Sequence, residues 1–298
     1  MSDVVYVGDR FLPAPDAAVS VFDHGLLYGD GVFEGIRAYN GRVFKLERHI
    51  ERLFQSAQAI RLAIPLTRDA TIELVVEACR QNAIENGYIR LLVTRGAGDL
   101  GIDPRSCPRA TIVVIVRSSV AIYRRSPSGG ATLVTSSLRR PAPDALCASI
   151  KSLNYLNNVL ARMEANEYGA DEALMLDANG HVAEATVDNL FIVTDRGLAT
   201  PPTVATLKGI TRETILELAA TLGIPAGERA ITLFDVWTAR EALLCGTAAE
   251  IVPVASVDGR TIGAGAPGPV TTRIMEAYRR LVESTGTPIR APMLEPTA

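Results

Sequence analysis

Two side chains thirty-three residues apart carry the first chemical suggestion in this sequence. Lys151 opens the run Lys151-Ser152-Leu153-Asn154-Tyr155, and Glu184 sits in Val182-Ala183-Glu184-Ala185-Thr186. A lysine supplies an amine that condenses with an aldehyde. A carboxylate can keep a heterocyclic nitrogen protonated. An aldehyde on a pyridine ring, as in pyridoxal phosphate, uses both groups at once, and amino-group transfer is the chemistry such a pair serves. Taken singly, each has a plainer reading: a lysine at a helix start is usually solvated, and a glutamate on an edge strand usually faces water.

The elements around them give each residue a place. An extended, mostly apolar run, Ala145 to Ile150, leads into Lys151, and Leu153, Leu156, Val159, Leu160 and Met163 then recur at three- and four-residue spacing. That periodicity predicts a helix starting at the lysine, with Tyr155 four residues on and on the same face. Glu172 to Asp177 and His181 to Thr186, joined by Asn179-Gly180, predict a hairpin, and Asn189 to Thr194 a further strand. Gly209-Ile210-Thr211 opens a helix through Ala220, whose unpaired amides form a seat for an anion. Gly246-Thr247-Ala248 follows the strand Glu241 to Cys245 and offers a hydroxyl and backbone amides.

The first half of the chain reads as pocket wall. Val32 to Tyr39, the turn Asn40-Gly41 and Arg42 to Leu46 predict another hairpin. Strand alternation puts Phe33, Gly35, Arg37 and Tyr39 on one face, and likewise Tyr88 with Arg90. Arg52 borders a helical apolar stripe of Ile50, Leu53, Phe54, Ala57 and Ile60, where snorkelling is its ordinary role and a bidentate grip on phosphate its chemical potential.

Four motifs in order, the Lys151 run, Glu184-Ala185-Thr186-Val187-Asp188-Asn189, Leu207-Lys208-Gly209-Ile210-Thr211-Arg212 and Gly246-Thr247-Ala248-Ala249-Glu250, resemble the class IV aminotransferases of pyridoxal phosphate fold type IV. The chain is most similar to the branched-chain members, with D-amino acid aminotransferase, aminodeoxychorismate lyase and (R)-selective amine transaminases on the same fold. The resemblance runs from the first strand to about residue 286. It implies an α+β, D-amino acid aminotransferase-like fold of two domains with the active site between them. It implies that Lys151 forms the internal Schiff base and carries the α-proton, and that Glu184 holds the ring nitrogen. Arg52, Tyr155, Leu207, Gly209, Ile210, Thr211 and Thr247 are the remaining cofactor contacts it implies. Tyr28, Phe33, Gly35, Arg37, Tyr88, Arg90, Thr247 and Ala248 are the implied substrate contacts, with Arg90 meeting the distal carboxylate of glutamate. The implied reaction exchanges the amino group of L-leucine, L-isoleucine or L-valine with 2-oxoglutarate. A D-amino acid or (R)-amine transaminase is the alternative. The implied assembly is a homodimer or larger, because relatives complete the pocket with a neighbouring subunit's loop.

Two positions depart from the pattern. One large branched-chain subgroup separates the lysine and tyrosine by five residues, whereas here the separation is four, as in a second subgroup and the D-amino acid enzymes. Val187 stands where glycine is expected, and a β-branched residue disfavours positive φ, so the turn behind Glu184 is expected to differ.

Composition bounds the rest. At 298 residues the chain holds two cores, and 48% apolar with 21% charged residues describes an ordinary soluble protein. The expected division is a first domain over 1–121, a linker over 122–130 and a cofactor-binding domain over 131–298. A net charge of −3 argues against a nucleic-acid partner. The mostly apolar run Ala110 to Val116 is too short to span a bilayer, and no signal peptide is visible, so the expected setting is the cytoplasm. Cys79, Cys107, Cys147 and Cys245 form no Cys-x-x-Cys pair, and His24, His49 and His181 have no metal-ligand spacing. For His24 the expected role is packing or a local hydrogen bond. Gly29 to Gly35 superficially suggests a dinucleotide loop, but its spacing is wrong and a strand, not a helix, follows.

Overall fold

Local signals set most elements of the computed structural model, which describes residues 3–118, 129–265 and 267–290. Strands β1 (Val4–Val7) and β2 (Arg10–Pro13) pair as a hairpin. Asp23 caps the short helix α1 (His24–Tyr28), its carboxylate accepting from the Gly25 amide at 2.7 Å. β3 (Gly31–Tyr39) turns through Asn40 and Gly41, at φ 49° and 72°, into β4 (Arg42–Val43). Both central residues are left-handed, which is why Asn-Gly suits this turn. Then come α2 (Leu46–Ala59), α3 (Arg68–Gln81), β5 (Gly87–Thr94) and β6 (Thr111–Arg117).

The second stretch runs β7 (Ala131–Arg139), α4 (Leu156–Glu167), β8 (Glu172–Leu176), β9 (Val182–Ala185), β10 (Asn189–Thr194) and β11 (Gly197–Thr200). It continues with α5 (Ile210–Thr221), β12 (Ala226–Glu228), α6 (Leu233–Trp237), β13 (Glu241–Gly246), β14 (Glu250–Val257) and β15 (Arg260–Thr261). Helix α7 (Pro269–Ser284) and strand β16 (Thr287–Pro288) close it.

Residues 3–118, 150–154 and 282–290 make one unit, and 129–149, 155–265 and 267–281 the other. The first unit is thus assembled from three pieces of chain, and it includes Lys151, which the sequence places with the second domain. The linker expected over 122–130 lies outside the described residues except for Gly129 and Gly130.

In the first unit the sheet order is β16-β4-β3-β5-β6-β1-β2. Its core joins Ile50, Leu53 and Ala57 of α2 and Val75, Val76 and Cys79 of α3 to Ile36, Ile89, Leu91 and Val114 of the strands. Burying each such aliphatic side chain is worth roughly 1.5–3 kcal/mol. The β3–β5 register sets Gly35 opposite Arg90 and Arg37 opposite Tyr88, so the two faces inferred from alternation are one face.

In the second unit the order is β12-β11-β10-β13-β14-β7-β8-β9, with β15 on β14. Leu133, Leu174, Leu190, Ile192, Leu244 and Val254 form its main core. The expected β8–β9 hairpin is present, and Asp177 ties its turn by accepting from the amides of Asn179 and His181 at 2.8 and 2.9 Å.

The segment around the lysine differs from its sequence reading. Ala145 and Leu146 donate back to the Ala142 carbonyl in a turn, so the run before Lys151 is no strand. Ser152 bridges Val32 of β3, which keeps the chain extended past the lysine, and α4 starts only at Leu156. Lys151 and Tyr155 therefore share no helical face. The apolar spacing that predicted the helix also marks its outer side: Leu156, Val159, Leu160 and Met163 are exposed, while Asn158, Ala161 and Ala165 are buried. Small residues let α4 lie close against Ala173 and Met175 of β8, and a large side chain there would hold it off.

Candidate active site

In the first unit the lysine is fixed by its main chain. The Lys151 amide donates to Ser56 Oγ at 3.2 Å, and its carbonyl accepts from the Phe33 amide at 3.0 Å. Its Nζ lies 4.4 Å from the centre of the Phe33 ring. The guanidinium carbon of Arg90 stands 4.7 Å from the same ring, and Arg90 Nη2 donates to the Tyr88 hydroxyl at 3.0 Å. Lys151, Phe33, Arg90 and Tyr88 thus form one contact chain, from an amine to a cation held among aromatic rings. Gly35 leaves room for it, because a Cβ there would collide with the Tyr88 hydroxyl. Arg37 stacks over Tyr39, its guanidinium carbon 5.0 Å from the ring centre.

Tyr28 has other company. Its hydroxyl donates to the Leu100 carbonyl, and its ring meets His24 edge-on at 5.1 Å. His24 itself is buried and donates to the Asp99 carbonyl at 2.8 Å, a local hydrogen bond of the expected kind.

Arg52 is buried on α2, and its Nε and Nη2 each donate to Glu34 at 2.8 Å. His49 Nδ1 donates to the same carboxylate at 2.8 Å. Burial alone pushes the Glu34 carboxyl up, but Arg52 and His49 outweigh it and bring it down to about 2. Burial dominates at His49 and lowers it, so its ring stays neutral at neutral pH. Neither Glu34 nor His49 stands out in the sequence, since nothing local pairs residue 34 with residues 49 and 52.

The second unit holds the other group. Glu184 is buried at the end of β9; its Oε2 accepts from Asn189 Nδ2 at 3.2 Å and from the Leu207 amide at 3.0 Å, and its Oε1 faces Arg140 Nη2 at 3.1 Å. Leu207 thus acts here through its backbone on the glutamate. Arg140 Nη1 also donates to Asn158 at 2.9 Å and Asn157 at 3.2 Å, which fixes the cation beside the carboxylate. Arg140 and Asn189 escaped the sequence reading because their meeting with Glu184 is set by the sheet. Val187 is absent from the positive-φ residues, and Ala185 N donates to Asp188 O at 2.8 Å, so the turn closes without the left-handed residue expected of a glycine.

Gly209 is the N-cap of α5 and no side chain caps it, which leaves the amides of Ile210 and Thr211 at an uncapped helix start. A Cβ at Gly209 would collide with Asn189 Oδ1, and one at Gly246 with Asp188 Oδ1. These glycines let the α5 start and the Gly246-Thr247-Ala248 loop come close to β10. The hydroxyl of Thr206 is buried with no hydrogen-bond partner among the described residues. Among the described residues no group of three or more acidic, cysteine or histidine side chains could hold a metal ion, and no helix is long and apolar enough to cross a membrane.

Residues 31–257, which carry both groups, match the profile of the amino-transferase class IV family. The chain belongs to that family. A protein of Methanocaldococcus jannaschii, provisionally named a branched-chain-amino-acid aminotransferase, is 49% identical over 276 residues, 92% of this chain and 95% of that one. The branched-chain-amino-acid aminotransferase of Pseudomonas aeruginosa is 41% identical over 94% of this chain and 92% of its own. The crystal structure of the T.th. branched-chain amino acid aminotransferase complexed with N-(5'-phosphopyridoxyl)-L-glutamate superposes with a TM-score of 0.89 at 37% identity, covering 95% of both chains. The same T.th. enzyme has been solved with pyridoxamine 5'-phosphate and with 4-methylvaleric acid. The mixed helix-and-sheet fold expected from the sequence is thereby that of the family.

Proposed function

We propose that this class IV aminotransferase uses pyridoxal 5'-phosphate to move the amino group of L-leucine, L-isoleucine or L-valine to 2-oxoglutarate. The observation that carries the reading is the contact chain Lys151–Phe33–Arg90–Tyr88: an amine beside an aromatic wall that suits an aliphatic side chain, with the Arg90 cation set against that wall for a second carboxylate. The names of the relatives support the same substrates over D-amino acids or (R)-amines.

The residues suit the cofactor. Lys151 offers an amine for an aldehyde, Glu184 a buried carboxylate for a ring nitrogen, and the uncapped α5 start, with Gly209 as N-cap before Ile210 and Thr211, a seat for phosphate; Arg52 and Thr247 are the further phosphate contacts of this reading. The orphaned Thr206 hydroxyl lies one residue before Leu207 and would gain a partner from a bound polar group. When bound, pyridoxal phosphate supplies the aldehyde and the electron sink.

The protein's own groups do the rest. Lys151 Nζ takes the proton from the substrate α-carbon and returns it. Arg140, 3.1 Å from Glu184 Oε1, holds that carboxylate in place, where it would keep a proton on a ring nitrogen. Tyr155 supplies a hydroxyl to the cofactor, and the Thr247 and Ala248 loop supplies donors for the α-carboxylate. Phe33 and Tyr88 exclude water from the side-chain pocket, with Gly35, Arg37 and Tyr28 completing the substrate wall in this reading. Arg90 meets the distal carboxylate of glutamate when that substrate takes the place of leucine.

The same reading makes the enzyme a homodimer or larger assembly working in the reducing cytoplasm. Val21, Phe22, Leu26, Leu100 and Ile102, all half or more exposed on two segments joined by hydrogen bonds, are apolar surface that a second copy would cover. A panel of L- and D-amino donors against 2-oxoglutarate tests the function. Turnover confined to branched L-donors and L-glutamate is expected, and preference for any D-donor would overturn it.

A further inference from the structure

We infer that Glu34, steadied by His49, is a positioning residue that aims Arg52 at the cofactor phosphate; the inference rests on the reading of Arg52 as a phosphate ligand. Three buried side chains of α2, His49, Arg52 and Ser56, form a polar line on a helix whose other buried positions are apolar. Ser56 takes the Lys151 amide, and the other two converge on Glu34. That glutamate is fully buried. A carboxylate so placed is costly unless its partners are arranged around it, so its presence calls for a role.

The geometry defines the role. Both Glu34 oxygens bind one edge of the Arg52 guanidinium, through Nε and Nη2, and a two-point bond on one edge fixes the plane and direction of the rigid fork. Those bonds use two of the five N–H groups of an arginine, so the carboxylate, and not the flexible stem, sets the direction of the whole fork. His49 adds a third bond to the carboxylate, which stops it rotating. Because His49 is neutral, the trio carries no net charge. An anion is therefore drawn by where the N–H groups point rather than by excess positive charge, and a small displacement of the fork is felt directly in phosphate affinity.

The test compares two ligands that differ only in the phosphate. Apoprotein of the full chain is titrated with pyridoxal 5'-phosphate and with pyridoxal, following cofactor absorbance and tryptophan fluorescence. Glu34→Asp keeps the charge but draws both oxygens back. It should weaken pyridoxal 5'-phosphate binding by about tenfold or more while changing pyridoxal binding less than about twofold. His49→Asn, which keeps an N–H donor but loosens its aim, should shift the same ratio in the same direction by a smaller factor, and it serves if the aspartate variant does not fold. Equal losses for both ligands would make Glu34 a structural residue, and tighter phosphate binding would make it a mere screen of Arg52; either result overturns the inference. Arg52→Lys separates the two claims. If it moves the ratio and neither Glu34→Asp nor His49→Asn does, positioning fails alone; if it does not move the ratio, the phosphate reading of Arg52 fails.

Discussion

Arg90 and Tyr88, two residues apart on β5, hold each other at 3.0 Å from guanidinium to hydroxyl, and both border the Phe33 ring or its strand. A cation pinned in an aromatic wall can serve a carboxylate when one enters and leave an apolar surface when one does not. Burying a carboxylate unpaired costs several kcal/mol, and an arginine hydrogen bond to it contributes roughly 1.5–3 kcal/mol. Arg90→Met should therefore slow the glutamate and 2-oxoglutarate half-reaction more than tenfold and the leucine half-reaction far less. Following the two half-reactions separately by cofactor absorbance decides it; equal losses would assign Arg90 to the shared α-carboxylate or to pocket structure.

Gly35 keeps the Tyr88 hydroxyl where Arg90 can use it. In Gly35→Ala the new methyl forces the far end of Tyr88 aside. The change should cost no more than about 1–3 kcal/mol in urea unfolding, because a side-chain tip yields more easily than backbone. The larger effect should be on KM for leucine and 2-oxoglutarate; unchanged KM for both would remove Tyr88 from the pocket.

Lys151→Ala should abolish transamination between leucine and 2-oxoglutarate while leaving the melting temperature within a few degrees of wild type. The lysine is tied into the fold by its main chain, which alanine retains. Substantial residual turnover would move the essential amine elsewhere.

Glu184→Gln should slow proton transfer at the α-carbon more than it weakens cofactor binding, since an amide cannot keep a ring nitrogen protonated. The loss belongs in single-turnover kinetics. Arg140 should then appear as a surplus buried cation, adding a stability cost of roughly 3–5 kcal/mol. Half-reaction rates equal to wild type would return Glu184 to a structural role.

Stability should fall with acid in two stages. His49 has a folded value below the usual 6.5, so its neutral form contributes stability that is fully present above 6.5 and declines as pH falls below it. Glu34 has a folded value of about 2 against the usual 4.5, so its contribution is full above 4.5 and is lost as pH falls from there toward 2. Urea midpoints measured from pH 7.5 to 3 should show both declines, and His49→Asn should flatten the upper one. A midpoint independent of pH between 7 and 5 in the wild type would contradict the buried neutral histidine.

How legible these features were depended on distance along the chain. The turns at Asn40-Gly41 and Asn179-Gly180 follow from two adjacent residues, so both hairpins could be read directly. The α5 start was equally local. The helix after Lys151 was read from its large apolar residues, yet Asn158, Ala161 and Ala165 are what the fold buries, and close packing against β8 rewards their smallness. Glu34 with His49, and Arg140 with Glu184, come together only through sheet register and helix placement, which no local pattern encodes. The resemblance names Arg52, Glu184 and Leu207, whose amide reaches Glu184, but not Glu34, His49 or Arg140.

The three-piece make-up of the first unit bears on how the protein is born. A ribosome delivers residues 3–118 first, but the strip carrying Lys151 and the strand Thr287–Pro288, which pairs with β4, arrive only later, the strand after the whole run 155–281. Domains usually settle in the order they are synthesised. Here the unit that begins first waits, incomplete, for a strip that follows the run 155–281, and that run is free to finish before it.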